Sequence, residues 1–561
     1  MGGPEIRSRQ QAAGLAQLSV GTKVTRNERV LLINPPSPFL IEERVFTPTG
    51  ILYAAAQLEA HGFAVDVLDL ARVSSAKDRH SAYDHLVASY EQEYLSQVRA
   101  VVGDYGVIGV SATTPQYKFA AKILRETKTV NPDAKTVLGG AHATMVSGLR
   151  RRMIAHLIEE DSSLRDDGRC LEERLHAFDP NFRSVGMFDH VISGDAGGVF
   201  AALTNGSPRW ITAPRLGRSI DDVPLPARHK IDLLSYKYTL FNPTTGDHVP
   251  TTNVMSQWGC PFPCNFCSGR DEDFYRTVRV RSVGAVIDEL DAIHERYGIR
   301  GFMFFDDEIN VIPVRFLQLL DALGERHRSR GYVYRGFIKS EIIVNKHPDT
   351  FKRMVDAGFV EACTGVESGS SDILTRVIRK NTTPELNLAC AELAHSAGIS
   401  FKAFTMIGHP YEREEDAMAT RDWILNARPS GFDISVHQPY PGAPVYDFAV
   451  KDPATGLFFL TKNEVELAPQ RIFTRGSRIE DAVFFFEKRD YADHDVDTFY
   501  KGRPGTYVSN VWTPWLSRER IVELRDFIEE DARHRLGATS VSGLSFDAPM
   551  GQAGTALHGR S

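Results

Sequence analysis

The chain has 561 residues, 42% of them apolar and 24% charged, with a formal net charge of −7. That length suits about two to four domains at roughly 100–200 residues each, and the charge gives no sign of the basic face a nucleic-acid binder normally needs. No stretch approaches the ~20 consecutive apolar residues of a membrane span, and Met1 to Lys23 lacks the apolar run of a secretory signal, so a cytoplasmic location is expected.

Residues 1–27 and 539–561 are polar, rich in Gly, Ser, Ala and Gln, and read as flexible tails. Val30 to Ile33 predicts a strand ended by Asn34-Pro35-Pro36, and Gly50 to Ala60 a helix stopped by Gly62. Further strands are expected at Ala64 to Leu70, Val107 to Val110, Thr136 to Leu138 and His190 to Ile192, with a helix across Phe119 to Thr129. This alternation means a parallel α/β sheet with helices on both faces, and such sheets bind ligands at the carboxyl ends of their strands. Those ends carry Asn34, Ser111 to Thr114, Gly139 to Thr144 and Gly194 to Gly197. Each alone reads as an ordinary tight turn; four together point to a cofactor face, where glycine lets backbone approach a ligand.

A second series starts near Thr251, with strands expected at 252–257, 301–305, 332–338, 359–366, 399–407 and 433–438. Helices are expected near 281–297, 314–328, 383–397 and 413–427. Six such steps suggest a barrel or partial barrel. Residues 451–538 lose the rhythm, are rich in aromatics and end in a helix from Ser517 to Arg535, as a cap or substrate-shaping region would. The resulting partition is 28–215, a linker at 216–245, 246–450 and 451–538 between the two tails.

Three of the six cysteines, Cys260, Cys264 and Cys267, form a C-x3-C-x2-C run just after the first strand of the second series. Clustering of this kind points to a metal or redox centre rather than disulfides. Three thiolates can hold three irons of a 4Fe–4S cube and leave the fourth iron open. A zinc site is the alternative, although structural zinc wants four ligands and no fourth Cys or His lies nearby in sequence. Cys170, Cys363 and Cys390 read as structural, with Cys363 a small buried residue of a strand.

The run resembles the signature of the radical S-adenosylmethionine (SAM) superfamily, and further segments resemble its cobalamin-binding subgroup. These are Gly365-Val366-Glu367-Ser368-Gly369-Ser370, Phe404 to Pro410, Pro439-Tyr440-Pro441-Gly442-Ala443-Pro444, Asn34-Pro35-Pro36 and Gly139 to Thr144. The resemblance covers about residues 28–450, and extends both to class B radical SAM methyltransferases and to the Mg-protoporphyrin IX monomethyl ester oxidative cyclase group. It implies an α/β protein with a Rossmann-like cobalamin-binding domain, a partial (β/α)6 TIM-type radical SAM barrel and a small α+β C-terminal cap.

By this resemblance Cys260, Cys264 and Cys267 hold the cluster, while Phe266, Asp306, Asp307, Glu308, Lys339, Glu367 and Ser368 contact SAM. Cobalamin is assigned to Asn34, Pro35, Pro36, Thr49, Ser111, Thr113, Thr114, Gly139, Gly140, His142, Ala143, Thr144, Gly194 and Asp195. His409 and His437 are further candidates from their place at barrel strand ends. The usual Asp-x-His-x-x-Gly is absent after the first strand, where Asn34-Pro35-Pro36-Ser37 stands, and Asp78-Arg79-His80 has Tyr83 where glycine belongs. Cobalamin is therefore expected base-off, without a protein histidine. A second departure is the longer spacing from Gly140 to Gly194, filled by a charged, helical-looking segment from Leu149 to Phe182. The implied activity is methyl transfer from methylcobalamin to an unactivated carbon or phosphorus centre of a small molecule. A cyclase or ring-rearranging enzyme, and a catalytically silent cobalamin-binding regulator, are the alternatives. A reducing electron donor such as flavodoxin or ferredoxin is the implied partner.

Overall fold

The computed structural model describes residues 29–37, 42–71, 83–195, 206–213, 217–269, 272–467, 477–493 and 507–537. Both predicted tails, Asp78 to His80, and Ala196 and Gly197 lie outside the described residues. Six strands make the first sheet: β1 (Arg29–Asn34), β2 (Ala64–Asp69), β3 (Val107–Ser111), β4 (Lys135–Gly139), β5 (His190–Ser193) and β6 (Trp210–Thr212). They are all parallel, in the order β2-β1-β3-β4-β5-β6. Period-2 alternation explains why it is covered on both sides. Val30 and Leu32 pack with Ile51, Leu52 and Leu58 on one face, while Leu31 and Ile33 pack with Tyr94, Ile108 and Leu124 on the other. The order reverses between β1 and β3, which places the ligand crevice of such a sheet at the ends of those two strands.

The second sheet contains β7 (Thr239–Asn242), β8 (Asp247–Val254), β11 (Gly301–Phe304), β12 (Val333–Phe337), β13 (Phe359–Glu367), β14 (Ser400–Ile407) and β15 (Gly431–Val436). Between them, β9 (Gln257–Trp258) and β10 (Arg279–Val280) form a short antiparallel ribbon. The order is β15-β14-β13-β12-β11-β8-β7, with six parallel strands forming a curled half-barrel and β7 antiparallel at one edge. Thr239–Asn242, expected within a connecting segment, thus joins the barrel sheet. The first barrel strand ends at Val254 rather than 257, because Gln257 and Trp258 pair with β10 instead. Two short helices at Ser340–Lys346 and Thr350–Asp356 were not legible in the sequence. The Leu149 to Phe182 segment is helical: Gly140–Glu160 is one long helix, followed by Gly168–Phe178.

Beyond the barrel, β16 (Val450–Lys451), β17 (Phe458–Thr461), β18 (Ala482–Phe486) and β19 (Val511–Trp512) make an antiparallel sheet. The helix Arg518–Leu536, N-capped by the Ser517 side chain, follows it. One continuous hydrophobic cluster runs from Leu31 in β1 through the barrel to Leu536, so the three regions share a core. Among the described residues no helix is long and apolar enough to cross a membrane.

Candidate functional site

The cysteine loop leaves β9 through Gly259, whose φ of 88° suits glycine and where a Cβ would collide with the Thr277 carbonyl. Cys260 N–H donates to the Tyr275 carbonyl (2.9 Å), and Cys267 N–H to that of Cys264 (3.2 Å). Buried Asn265 anchors the middle. Its backbone N–H donates to Ile378 (3.0 Å), its side chain to the Val377 carbonyl (2.6 Å), and its own carbonyl accepts from Val445 (3.2 Å). Those carbonyls belong to a π-turn, Ile373–Ile378, a form that recurs at functional sites. Three thiols on one rigid loop suit a cluster. Among the described residues no group of three or more His, Cys, Asp or Glu is already gathered around a single ion position, the three thiols included.

Ionised side chains surround this loop at the carboxyl ends of β11, β12 and β13. Glu367 closes β13 with φ 64°, a left-handed conformation rare outside glycine and found where function holds strain. Its carboxylate pairs with the buried Lys380 ammonium at 2.7 Å, in space left by Gly365, where a Cβ would overlap both groups. Burial opposes the Lys380 charge, but Glu367, then Cys264 and Glu308, hold its pKa above the usual lysine value. Lys339 lies 3.0 Å from Glu341 and 4.6 Å above the Phe262 ring. Glu308 keeps one buried carboxylate oxygen without a hydrogen-bond partner, and burial pushes its pKa up to about 7. Sequence reasoning missed Lys380, since a lysine outside any motif gives no signal.

Two of the residues assigned to SAM are used otherwise. Both Asp306 oxygens bind Ser256, through its N–H (2.9 Å) and hydroxyl (2.6 Å), and Arg315 donates to the Ser256 carbonyl. Asp306 thereby fixes the approach to the cysteine loop, and burial raises its pKa to about 6. Ser368 is buried against Thr420 (3.4 Å) and accepts from Ser370 N–H (3.1 Å). Asp307 is exposed. Phe266 is half-buried, its ring 6.2 Å from that of His409.

His409 and His437, at the ends of β14 and β15, have ring centroids 5.2 Å apart. Both are buried, and burial lowers both pKa values, that of His437 to about 3, so the pair is neutral. His409 Nε2 and both His437 ring nitrogens have no hydrogen-bond partner. Buried Glu412 accepts from the N–H groups of Gly408 and His409 (3.0 Å for the latter), while burial pushes its pKa up to about 8. The C-terminal region holds this turn: Thr513 donates to the Glu412 carbonyl (3.1 Å), and Phe484 stacks on His437 at 5.5 Å. Cys363 is buried as expected, yet it faces Arg335, whose Nε donates to its Sγ at 3.1 Å.

On the first sheet the face at the ends of β1 and β3 is formed mainly by backbone and small residues. Gly140 starts its helix with φ 89°, and a Cβ there would stand 2.7 Å from Ala112 N, whereas one at Gly139 would meet nothing within 4 Å. Pro35 and Pro36 are buried, Pro35 offers its carbonyl to Gln116 (3.2 Å), and Ser111 is half-buried. Thr113 is exposed, its hydroxyl donating to Gln116 at 2.9 Å.

Several residues assigned to cobalamin turn inward. Asn34 donates to Asp69 (2.9 Å), and Thr49 is bound by Asn253 of β8, which also accepts from Thr47 N–H (2.8 Å). Ala143 is buried. Thr144 donates to the Gly140 carbonyl (3.0 Å) and accepts from Gly194 N–H (3.1 Å). Asp195 forms a 2.6 Å ion pair with Arg279 of β10. His142 is fully buried, stacked on Tyr117 at 4.1 Å with Nδ1 3.1 Å from the Thr114 hydroxyl, and burial lowers its pKa to about 3.

Comparison with known proteins matches both of the regions that carry these faces. Residues 256–424 match the Radical SAM superfamily, and residues 43–161 match the B12 binding domain. An uncharacterized methyltransferase of Pyrococcus horikoshii is 25% identical over 75% of this chain and 83% of its own length. The anaerobic magnesium-protoporphyrin IX monomethyl ester cyclase of Cereibacter sphaeroides is 24% identical over 61% of this chain and 52% of its own. In fold, the chain is similar to the radical SAM methyltransferase TsrM from Kitasatospora setae, solved with cobalamin and a [4Fe-4S] cluster. The TM-score is 0.52 at 17% identity, covering 90% of this chain and 92% of that one.

Proposed function

We propose that this radical SAM enzyme, whose B12 binding domain precedes its cluster domain, is a methyltransferase acting on an unactivated carbon or phosphorus centre of a small molecule. Its cofactors are a 4Fe–4S cluster, SAM and cobalamin. One observation carries the reading: the helix that opens the cobalamin face is fastened to two segments that pack against the cysteine loop. From that helix Arg151 binds Glu272 through both carboxylate oxygens (2.9 and 2.8 Å), and Arg152 pairs with buried Asp447. Two faces braced against one another in this way suit an enzyme that uses both cofactors on one substrate.

When bound, the cluster and SAM supply a hydrogen-abstracting radical and cobalamin supplies a methyl group. The residues do the aiming. Cys260, Cys264 and Cys267 would ligate three irons. Glu367 would offer an acceptor to the SAM ribose hydroxyls, held in place by its 2.7 Å pair with Lys380. Lys339, paired with Glu341, and Glu308, whose buried carboxylate oxygen lacks a hydrogen-bond partner, would serve the amino-acid end of SAM. Ser111, Thr113 and the Gly139–Gly140 turn form the surface left for cobalamin. His142, buried, stacked on Tyr117 and bonded to Thr114, is turned into the protein rather than towards the surface left for cobalamin. The neutral His409–His437 pair, with Phe266 beside His409 and Phe484 stacked on His437, would give the substrate side a wall that excludes water. The electron comes from a small reducing protein, and the enzyme works in the cytoplasm.

The sequence likeness to a cyclase supports a second outcome, ring formation without methyl transfer. Anaerobic turnover of reconstituted enzyme with deuterium-labelled SAM methyl groups separates the two. Product heavier by one labelled methyl supports the methyltransferase; product lacking label sinks it. Cys264→Ala is expected to lose the cluster absorbance and all SAM cleavage.

A further inference from the structure

Besides Arg151 and Arg152, a third arginine joins the cobalamin face to the segment that pairs with the cysteine loop. Asp195, at the carboxyl end of β5, and Arg279, in β10, are 6% and 2% exposed and lie 2.6 Å apart. The Arg279 guanidinium is pressed on the rings of Phe274 (4.2 Å) and Trp258 (5.2 Å). Trp258 is its cross-strand partner, and Gly259 and Cys260 follow directly. The neighbouring contacts are just as close. A Cβ on Gly194 would touch Phe274 at 3.4 Å, and Gly259 has no room for one against Thr277. The 272–280 arm is therefore the back wall of the cobalamin-side turn and the pairing partner of the first cluster ligand.

We propose that Arg279 is a positioning residue that makes cobalamin binding and cluster binding mutually dependent, by transmitting the position of Gly194-Asp195 to Cys260. A cofactor that orders either end of this arm reduces what the other must order on binding, and such coupling is reciprocal. A buried pair of this kind is a weak source of stability but a strong constraint on register. Asp195 thus acts through Arg279 rather than on cobalamin itself. This inference rests on the two-cofactor reading above.

The test is a binding cycle on the full chain. Hydroxocobalamin affinity is measured anaerobically on cluster-free and cluster-reconstituted protein, for the unsubstituted chain, Asp195→Asn and Arg279→Lys. A second variant, Asp195→Asn with Arg279→Gln, removes both charges together, so that a folding defect from one stranded charge does not hide the result. Typical couplings are about 5- to 150-fold, and the cluster is expected to tighten cobalamin at least about fivefold in the unsubstituted chain. The ratio should fall towards one in the double variant and return in part with Arg279→Lys. Cobalamin should also shift the EPR signal of the reduced cluster, and this shift should vanish in the double variant. Equal affinity with and without the cluster in the unsubstituted chain would overturn the inference while leaving the two-cofactor reading intact. Failure of either cofactor to bind at all would overturn that reading instead.

Discussion

At the ends of the first sheet, Asn34, Thr49, Thr144 and Asp195 all turn their side chains to protein partners. At the ends of the barrel strands, Glu308 keeps a buried carboxylate oxygen with no hydrogen-bond partner, and Lys339 and Glu341 face each other as an ion pair at 3.0 Å. The first face offers a large ligand backbone, small residues and shape. The second offers a small charged ligand its own counter-charges, which are costly to bury until that ligand arrives. Two cofactors on similar parallel-sheet edges are thus recognised by different physics.

The sharpest way to break this contrast is Lys380→Met. It strands the Glu367 carboxylate, and losing one partner of a buried pair costs about 3–5 kcal/mol, read as a drop in urea midpoint. Adding Glu367→Leu should restore stability but not SAM affinity, whereas recovery of both would mean the pair is only structural. Gly140→Ala attacks the other face by demanding φ 89° of a residue with a Cβ 2.7 Å from Ala112 N. Strain of this type costs about 1–3 kcal/mol, and cobalamin retention on gel filtration should fall while cluster iron stays.

Glu412 predicts a pH effect. Burial raises its folded-state pKa from 4.5 to about 8. Its contribution to stability is fully present below pH 4.5 and is lost as pH rises towards 8, because the unfolded chain ionises first. Glu412→Gln should flatten that decline in melting temperature; an unchanged slope would refute the assignment. The smallest effect is expected from Ser368→Ala. Its hydroxyl meets only Thr420 and Ser370, so stability should change by about 1 kcal/mol and SAM affinity not at all.

Most parallel strands were legible because apolar runs ending in glycine or polar residues mark buried strands. The cysteine loop was legible because its ligands lie within eight residues. What escaped depends on distance in the chain. Asp306 and Ser368 sit where SAM contacts were expected, yet each is claimed by a partner about 50 residues away, Ser256 and Thr420. Lys380 and Arg279 carry no local pattern, and their roles arise only when Glu367 and Asp195 are brought to them. Strand β7 was hidden by its short length and its place in a turn-rich segment.

The anchoring of Asn265 has a consequence for synthesis. Its partners at Val377, Ile378, Val445 and Val465 are all made later, the last 200 residues downstream. At roughly 5–20 residues per second, the three thiols leave the ribosome on the order of 10–40 s before the loop can close. Iron and sulfide delivered in that interval would meet a flexible peptide, and the newborn thiols stand open to oxygen. Under the proposed reading, cluster insertion would then await the finished chain, and anaerobic expression would matter most while the protein is still being made.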